Sequence, residues 1–553
     1  MKITDTSDLW WKSAVIYCLD VETYMDDNDD GVGDFAGLAR RIDYLADLGV
    51  TCLWLMPFYP SPDRDDGYDI SDFYGIDPRL GNHGDFVEVI RTARDRGMRV
   101  IIDLVVNHTS DKHPWFVSAR RSRTSPYRDF YVWRDEPPAQ EEPTVFPGEE
   151  ASVWEYDERT GQYFQHVFYR HQPDLNVANP RVRDEIAKTI GFWLALGVSG
   201  FRLDAVPFFI EPPDGVDVGD PHELLRDLKR FLQRRVGDAA LLGEVNVPYR
   251  DQVKFFGGQR GGELDLQFDF IGMQALYLSL ARQDPAPLVK ALRSRPDVPP
   301  EAGWANFVRN HDELTLDKLT DAEREEVFEV FAPDEAQRVY GRGITRRLPT
   351  MLGGDPRRIR MVYSLLFSLP GTPVLFYGEE IGMGENPEIQ GRTSVRTPMQ
   401  WSDGKNGGFS RAAPGRLVAP IPTDGYAPEH VNALHQRADE GSLLRFIQQL
   451  IKRYRTSSEI GWGTPRVLDH DAAGVLAHEL RSDVGRMVAL HNFSDVPVRV
   501  ALDLGAVEEG TMLLDLHGAE RLPLGSRGRT EVELEAFGYR WLRVAAPGDT
   551  RIS

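Results

Sequence analysis

Short apolar runs alternate with amphipathic stretches over most of the chain. Val15 to Leu19 is apolar, and after an acidic loop Leu38, Ile42, Leu45 and Leu48 recur at helical spacing. Val50 to Met56 then reads as a buried strand, Phe86 to Arg96 as a helix and Val100 to Val106 as a strand. The rhythm resumes with Ile186 to Leu196 (helix), Val198 to Leu203 (strand), Leu224 to Arg235 (helix) and Ala239 to Leu242 (strand). Leu264 to Phe268, Trp304 to Val308 and Pro373 to Tyr377 bring the strands to eight. Such alternation pairs strands in parallel through right-handed crossovers. Eight units predict an α/β fold, a (β/α)8 TIM barrel with its chemistry at the C-terminal strand ends. An open doubly wound sheet is the alternative, but no glycine-rich phosphate loop follows the first strand.

Two stretches break the pattern. Residues 109–171, rich in Trp, Tyr, Phe and Pro, predict a small inserted B domain over the barrel mouth. The charged segment 314–356 predicts a helical insert. The barrel is thus expected from 1–108 and 172–463. Beyond it, Val475 to Leu480, Met487 to Asn492 and Val498 to Leu502 predict an antiparallel β-sandwich domain over 464–553.

Composition narrows the function. A net charge of −22 is wrong for a phosphate-binding face, so no nucleic-acid partner is expected, and it opposes docking on anionic lipid. No apolar run is long enough to span a bilayer, and Met1 to Trp11 lacks the character of a signal peptide. The two cysteines, Cys18 and Cys52, make no disulfide framework. A cytoplasmic protein is the expectation, with a homo-oligomer left open.

Carboxylates stand at or just after three strands: Asp204 in Gly200-Phe-Arg-Leu-Asp204, Glu244 after Leu241-Leu-Gly, and Asp312 in Arg309-Asn-His-Asp312. Glycosidic cleavage needs a nucleophile and a proton donor, and a third acid can hold the distorted ring. Arg202 lies two residues before Asp204 and shares its face, which keeps a nucleophile ionised. An ion pair that only fills the barrel is the plain alternative. His108 ends another strand, where it can meet a sugar hydroxyl; with His113 it lacks a third ligand for zinc. Asp26, Asn28, Asp30, the Val32 carbonyl and Asp34 have the spacing of a calcium loop, with Gly31 at the turn; a solvated acidic turn is the alternative.

Together, Asp103-Leu-Val-Val-Asn-His108, Gly200 to Val206, the Glu244 strand and Phe307 to Asp312 resemble the alpha-amylase family of glycoside hydrolases and transglycosidases. Gln172-Pro-Asp-Leu-Asn176 is similar to the segment that marks its oligo-1,6-glucosidase-like branch. The resemblance implies a retaining mechanism on α-glucosides, with Asp204 as nucleophile, Glu244 as acid/base and Asp312 as transition-state stabiliser. It places Arg202, His108, His311, Gln172 and Tyr68 around the glucose, and Asp69 with Arg396 as a clamp on its non-reducing end. Asn310 to Leu316, Arg358 to Phe376 and Arg396 to Trp401 are similar to the group that interconverts maltose and trehalose. From that group come a second calcium site (Asn107, Asp174, the Phe208 and Phe209 carbonyls, Glu211), with magnesium as the other ion, and maltose and trehalose as partners. A hydrolysing or transferring α-glucosidase, and a non-catalytic sugar-binding or scaffold relative, are the competing expectations. Cys18 to Thr23, Val245 to Pro248, and Thr393 with Ser394 depart from the family's usual text.

Overall fold

The computed structural model describes residues 9–138, 143–211, 219–525 and 527–549. Most of the segment compared with a signal peptide, and the last residues of the chain, lie outside them.

The eight expected strands form a closed parallel barrel, each paired with its sequence neighbours. They are β1 (Ile16–Leu19), β2 (Cys52–Leu55), β3 (Arg99–Leu104), β4 (Gly200–Leu203), β5 (Ala240–Gly243), β6 (Leu266–Phe268), β7 (Gly303–Asn306) and β8 (Thr372–Phe376). β8 closes on β1 with Ile16 opposite Val374. Gly200, which opens β4, has no alternative: a Cβ there would lie 2.2 Å from the Ala240 carbonyl oxygen. The outer helices follow local signals. Asn82 and Asp85 make a capping box on His83–Asp95, while Asn179 caps Pro180–Ala195 with proline in its first turn. One large apolar core joins the barrel to its helices, and Cys18 and Cys52 are free thiols within it.

Between β3 and β4 a three-stranded antiparallel sheet (Trp133–Arg134, Trp154–Asp157, Gln162–Gln165) surrounds a small centre of Val132, Val153 and Trp154. The segment after β7 departs from the helical expectation. It contains the helix Asp321–Phe331, but also a three-stranded antiparallel sheet of Leu314–Thr315, Arg338–Val339 and Gly343–Ile344. The turn in that sheet puts Tyr340 at φ +53° and Gly341 at φ +64°, which a continued helix forbids.

The C-terminal region packs a six-stranded antiparallel sheet against the pair Val498–Asp503 and Arg529–Leu534. Val475, Val488, Leu490, Val500, Val532 and Leu542 fill the space between the two sheets. The unit docks on the barrel helix Pro356–Ser368, where the Trp541 indole donates to Ser364 Oγ at 3.0 Å. No described helix is long and apolar enough to cross a membrane.

Candidate active site

A cavity of about 480 Å³ opens at the C-terminal end of the barrel. Its lining includes Asp204, Glu244 and Asp312 together with Tyr68 and His108. Parallel strands explain the convergence, since every strand delivers its last residues to the same rim.

Arg202 organises the floor. It is 1% exposed, and its Nη1 donates to Asp204 Oδ1 at 2.6 Å while Nη2 donates to Glu244 Oε2 at 2.5 Å. The two carboxylates therefore bind adjacent nitrogens of one guanidinium, which keeps them close. The same Nη1 also bonds Asp103, whose other oxygen accepts from the Trp54 indole at 2.6 Å. Just after Asp204, Ala205 takes a left-handed conformation (φ +46°), and its N–H faces Glu244 Oε2 at 3.4 Å. A non-glycine residue held there signals local strain, of a kind that gathers at functional sites.

The three acids have different electrostatics. Burial pushes Asp204 up to about 6, helped by Asp103 and Asp312 and opposed by Arg202. Burial also pushes Glu244 up to about 7, with Arg202 opposing and the anions Asp204 and Asp312 adding to the rise. For Asp312, burial acts upward but is outweighed by His311, Arg392 and Arg396, which hold it well below the usual carboxylate range. The environment thus separates one permanently ionised acid from one suited to carry a proton near neutrality.

Histidine and tyrosine complete the floor. The Tyr68 hydroxyl lies 2.8 Å from His311 Nε2, and that ring stands 3.1 Å from Asp312. His108 lines the cavity, its Nε2 3.2 Å from the Tyr68 carbonyl oxygen. Burial lowers it to about 4, so it meets a ligand as a neutral imidazole.

The residues expected as the clamp do not face the cavity. Asp69 is fully buried away from the cavity, accepting from Ser61 Oγ at 2.7 Å and facing Arg64. Arg396 pairs with Asp66 and, at 3.0 Å, with Asp312. The groups that do face the cavity are Asp65 and Arg392. Arg392 pairs with Asp65 and donates to Asp312 Oδ1 at 3.0 Å. Gln172 serves them from behind, donating to Asp65 Oδ2 at 2.8 Å. Sequence reasoning missed both: four residues of the run 63–66 are charged and three are aspartate, and packing alone selects which one turns inward.

The roof comes from the two irregular segments. Phe146 and Phe168 of the insert line the cavity opposite Thr315, Asp317, Lys318 and Arg342. The halves touch where Phe146 packs on Tyr340 at 4.9 Å between ring centroids. The Tyr169 and Tyr340 hydroxyls are 3.2 Å apart, and Arg342 donates to the Val145 carbonyl at 2.6 Å.

The residues expected to hold cations lie in two places. In the loop 26–34, Asp26 accepts from the Asp29 and Gly31 N–H groups at 2.7 and 2.8 Å. Asn28 and Asp30 each accept from the N–H two residues on, at 2.9 Å, and Asp34 caps the following helix through Gly37. Asn107, Asp174, Phe208, Phe209 and Glu211 line a second cavity of about 320 Å³.

The comparisons with known proteins agree with this geometry. The family described as alpha amylase, catalytic domain, matches residues 19–331 and 340–463, and a sucrose hydrolase-like C-terminal domain matches 485–543. A trehalose synthase of a Pimelobacter species is 40% identical over 98% of this chain and 97% of its own length. A trehalose synthase/amylase of Mycolicibacterium smegmatis is 38% identical over 98% and 94%. Among solved structures, the trehalulose synthase of Pseudomonas mesoacidophila is 27% identical with a TM-score of 0.76, covering 97% of this chain and 99% of its own. A catalytic-domain match across the whole barrel, over a cavity holding three strand-end carboxylates, identifies this chain as a member of the alpha-amylase family.

Proposed function

We propose that this chain is an intramolecular α-glucosyl transferase that interconverts maltose and trehalose. The observation that carries the reading is a three-carboxylate floor closed over by two roof segments that touch each other. The similarity to trehalose synthases supplies the substrate class.

In the first step an Asp204 oxygen attacks the anomeric carbon of the non-reducing glucose. Glu244 gives its proton to the glycosidic oxygen, so glucose leaves neutral and Glu244 becomes a carboxylate. Asp312, ionised at every working pH, holds the ring hydroxyls and offsets the charge that develops on the ring. Arg392 and Asp65 grip the far end of the sugar. In the second step the freed glucose turns and offers its anomeric hydroxyl. Glu244 takes that proton, the oxygen bonds the glucosyl carbon, and Asp204 is released. Water competes for the same intermediate, so the roof decides the product. Maltose should yield mainly trehalose, read by chromatography; accumulation of glucose alone overturns the transferase reading in favour of hydrolysis.

The two oxygen-rich places fit a hard divalent cation such as calcium or magnesium, since every donor is a carboxylate, amide or carbonyl oxygen. Gly31 fits the sharp turn the loop needs, for a Cβ there would lie 2.1 Å from the Arg416 carbonyl oxygen. Bound ions would tie loops together and take no part in the chemistry. Chelation should lower the melting temperature, and added calcium should restore it; an unchanged transition would remove the ions from the account. A cytoplasmic setting accords with two buried free thiols.

A further inference from the structure

Asp20 ends β1 and caps the short helix Val21–Tyr24. Its carboxylate lies with those of Glu22 and Asp66 in a cluster where one oxygen from each falls within 4.8 Å of the others. None of the three lines the substrate cavity. They reach it through Arg396, which is 3% exposed and has all three nitrogens engaged. Nη1 binds Asp66, Nη2 donates to Asp312 Oδ1 at 3.0 Å, and Nε donates to the His311 carbonyl at 2.8 Å. One guanidinium therefore stands between the cluster and the carboxylate assigned to the sugar ring.

We propose that Asp20, Glu22 and Asp66 form a positioning device for Asp312. Asp20 and Glu22 keep a shared proton at neutral pH, and loss of that proton draws Arg396 toward the cluster and away from Asp312.

The charge balance requires the proton. The cations facing the cluster are Arg396 and Arg79, and both are shared. Arg396 also serves Asp312, while Arg79 lies 3.4 Å from Glu22, 3.0 Å from Asp63 and 2.9 Å from Asp77. Carboxylates this close, with Asp20 buried and Asp66 partly so, cannot all ionise with so little compensation. Burial pushes Asp20 up to about 8, with Asp66 adding to the rise; the Glu22 N–H, Arg396 and the Thr23 hydroxyl oppose it. Burial raises Glu22 well above its ordinary value, with Asp20, Asp66 and Asp63 adding to the rise and Arg79 opposing it. Two further titratable groups face the cluster, both pushed up by burial: the Tyr377 phenol, 3.0 Å from Thr23 Oγ1, and the Cys18 thiol.

The inference rests on the glucoside reading of the site, and one substrate separates the two. A nitrophenyl α-glucoside leaves without protonation, so the titration of Glu244 drops out of its cleavage step. For this substrate kcat/KM should still fall on the alkaline side. Asp20→Asn, which mimics the protonated state, should keep the neutral value and move that fall upward by about one pH unit or more. Glu22→Gln should act in the same direction, and stands in if Asp20→Asn does not fold by circular dichroism. An alkaline limb unchanged in the folded variants overturns the device. No turnover of the glucoside by the parent at any pH overturns the underlying reading, and the device with it.

Discussion

The floor and the roof of the cavity are held by different forces. On the floor, Arg202, Asp103, Trp54, Tyr68 and His311 are all buried and linked by hydrogen bonds. Trp54, Asp103 and Arg202 stand on three adjacent barrel strands, and Tyr68 and His311 reach them from the loops after β2 and β7. The roof is an aromatic contact between two loops, Phe146 on Tyr340, with one hydroxyl pair and one arginine-to-carbonyl bond. A rigid preorganised floor suits bond cleavage, where charges must be aimed before the reaction begins. A lightly tied roof suits entry, rotation and release of a sugar. Chemistry and product choice are therefore separable by mutation.

The largest effect should come from the nucleophile. Asp204→Asn should lower turnover of both disaccharides and aryl glucosides by at least ~10⁴-fold, because no glucosyl-enzyme can form. Next, Glu244→Gln should cost about 10²–10⁴-fold on maltose but far less on an aryl glucoside, whose leaving group needs no proton. Equal losses on both would remove Glu244 from the acid role. The same assignments give the pH profile its sign. Asp204 must be ionised, so kcat/KM on maltose should rise through about 6. Glu244 must be protonated, so it should fall again through about 7.

A smaller effect sharpens the boundary of the floor. Arg392→Ala removes charged contacts to Asp65 and Asp312 and should lower kcat/KM by about 10–100-fold. Asp69→Asn, outside the cavity, should leave the KM for maltose near that of the parent; a large rise would return Asp69 to the clamp. The mildest change belongs to the roof. Tyr340→Ala should leave cleavage of an aryl glucoside intact while raising the share of glucose among maltose products. A product ratio that does not move would show that the roof has no part in excluding water.

Much of the floor was legible before the fold was known. Apolar runs of strand length mark the barrel, and residues that end them must face its mouth, so Asp204, Glu244, Asp312 and Arg202 stand out by position alone. The pair that faces the cavity, Asp65 and Arg392, was not legible. Asp63, Asp65, Asp66 and Asp69 are chemically alike, and Ser61 and Arg64 capture Asp69 only after the loop has folded. Arg392 was hidden in the same way, since Arg396 four residues later offers the same group. The insert 109–171 was legible as a cover for the mouth, but the sheet within 314–356 was not: charge spread along that segment resembles an exposed helix, while its short strands pair with each other through a turn of positive φ at Tyr340 and Gly341.

Whether the freed glucose stays enclosed can be read by isotope exchange. Unlabelled maltose is incubated with an excess of free ¹³C-glucose, and the trehalose formed is analysed by mass spectrometry. If the released glucose stays beneath the roof until it attacks the glucosyl carbon, the trehalose carries no label. Trehalose labelled in one ring in proportion to the free glucose would mean that the leaving sugar escapes, which contradicts intramolecular transfer.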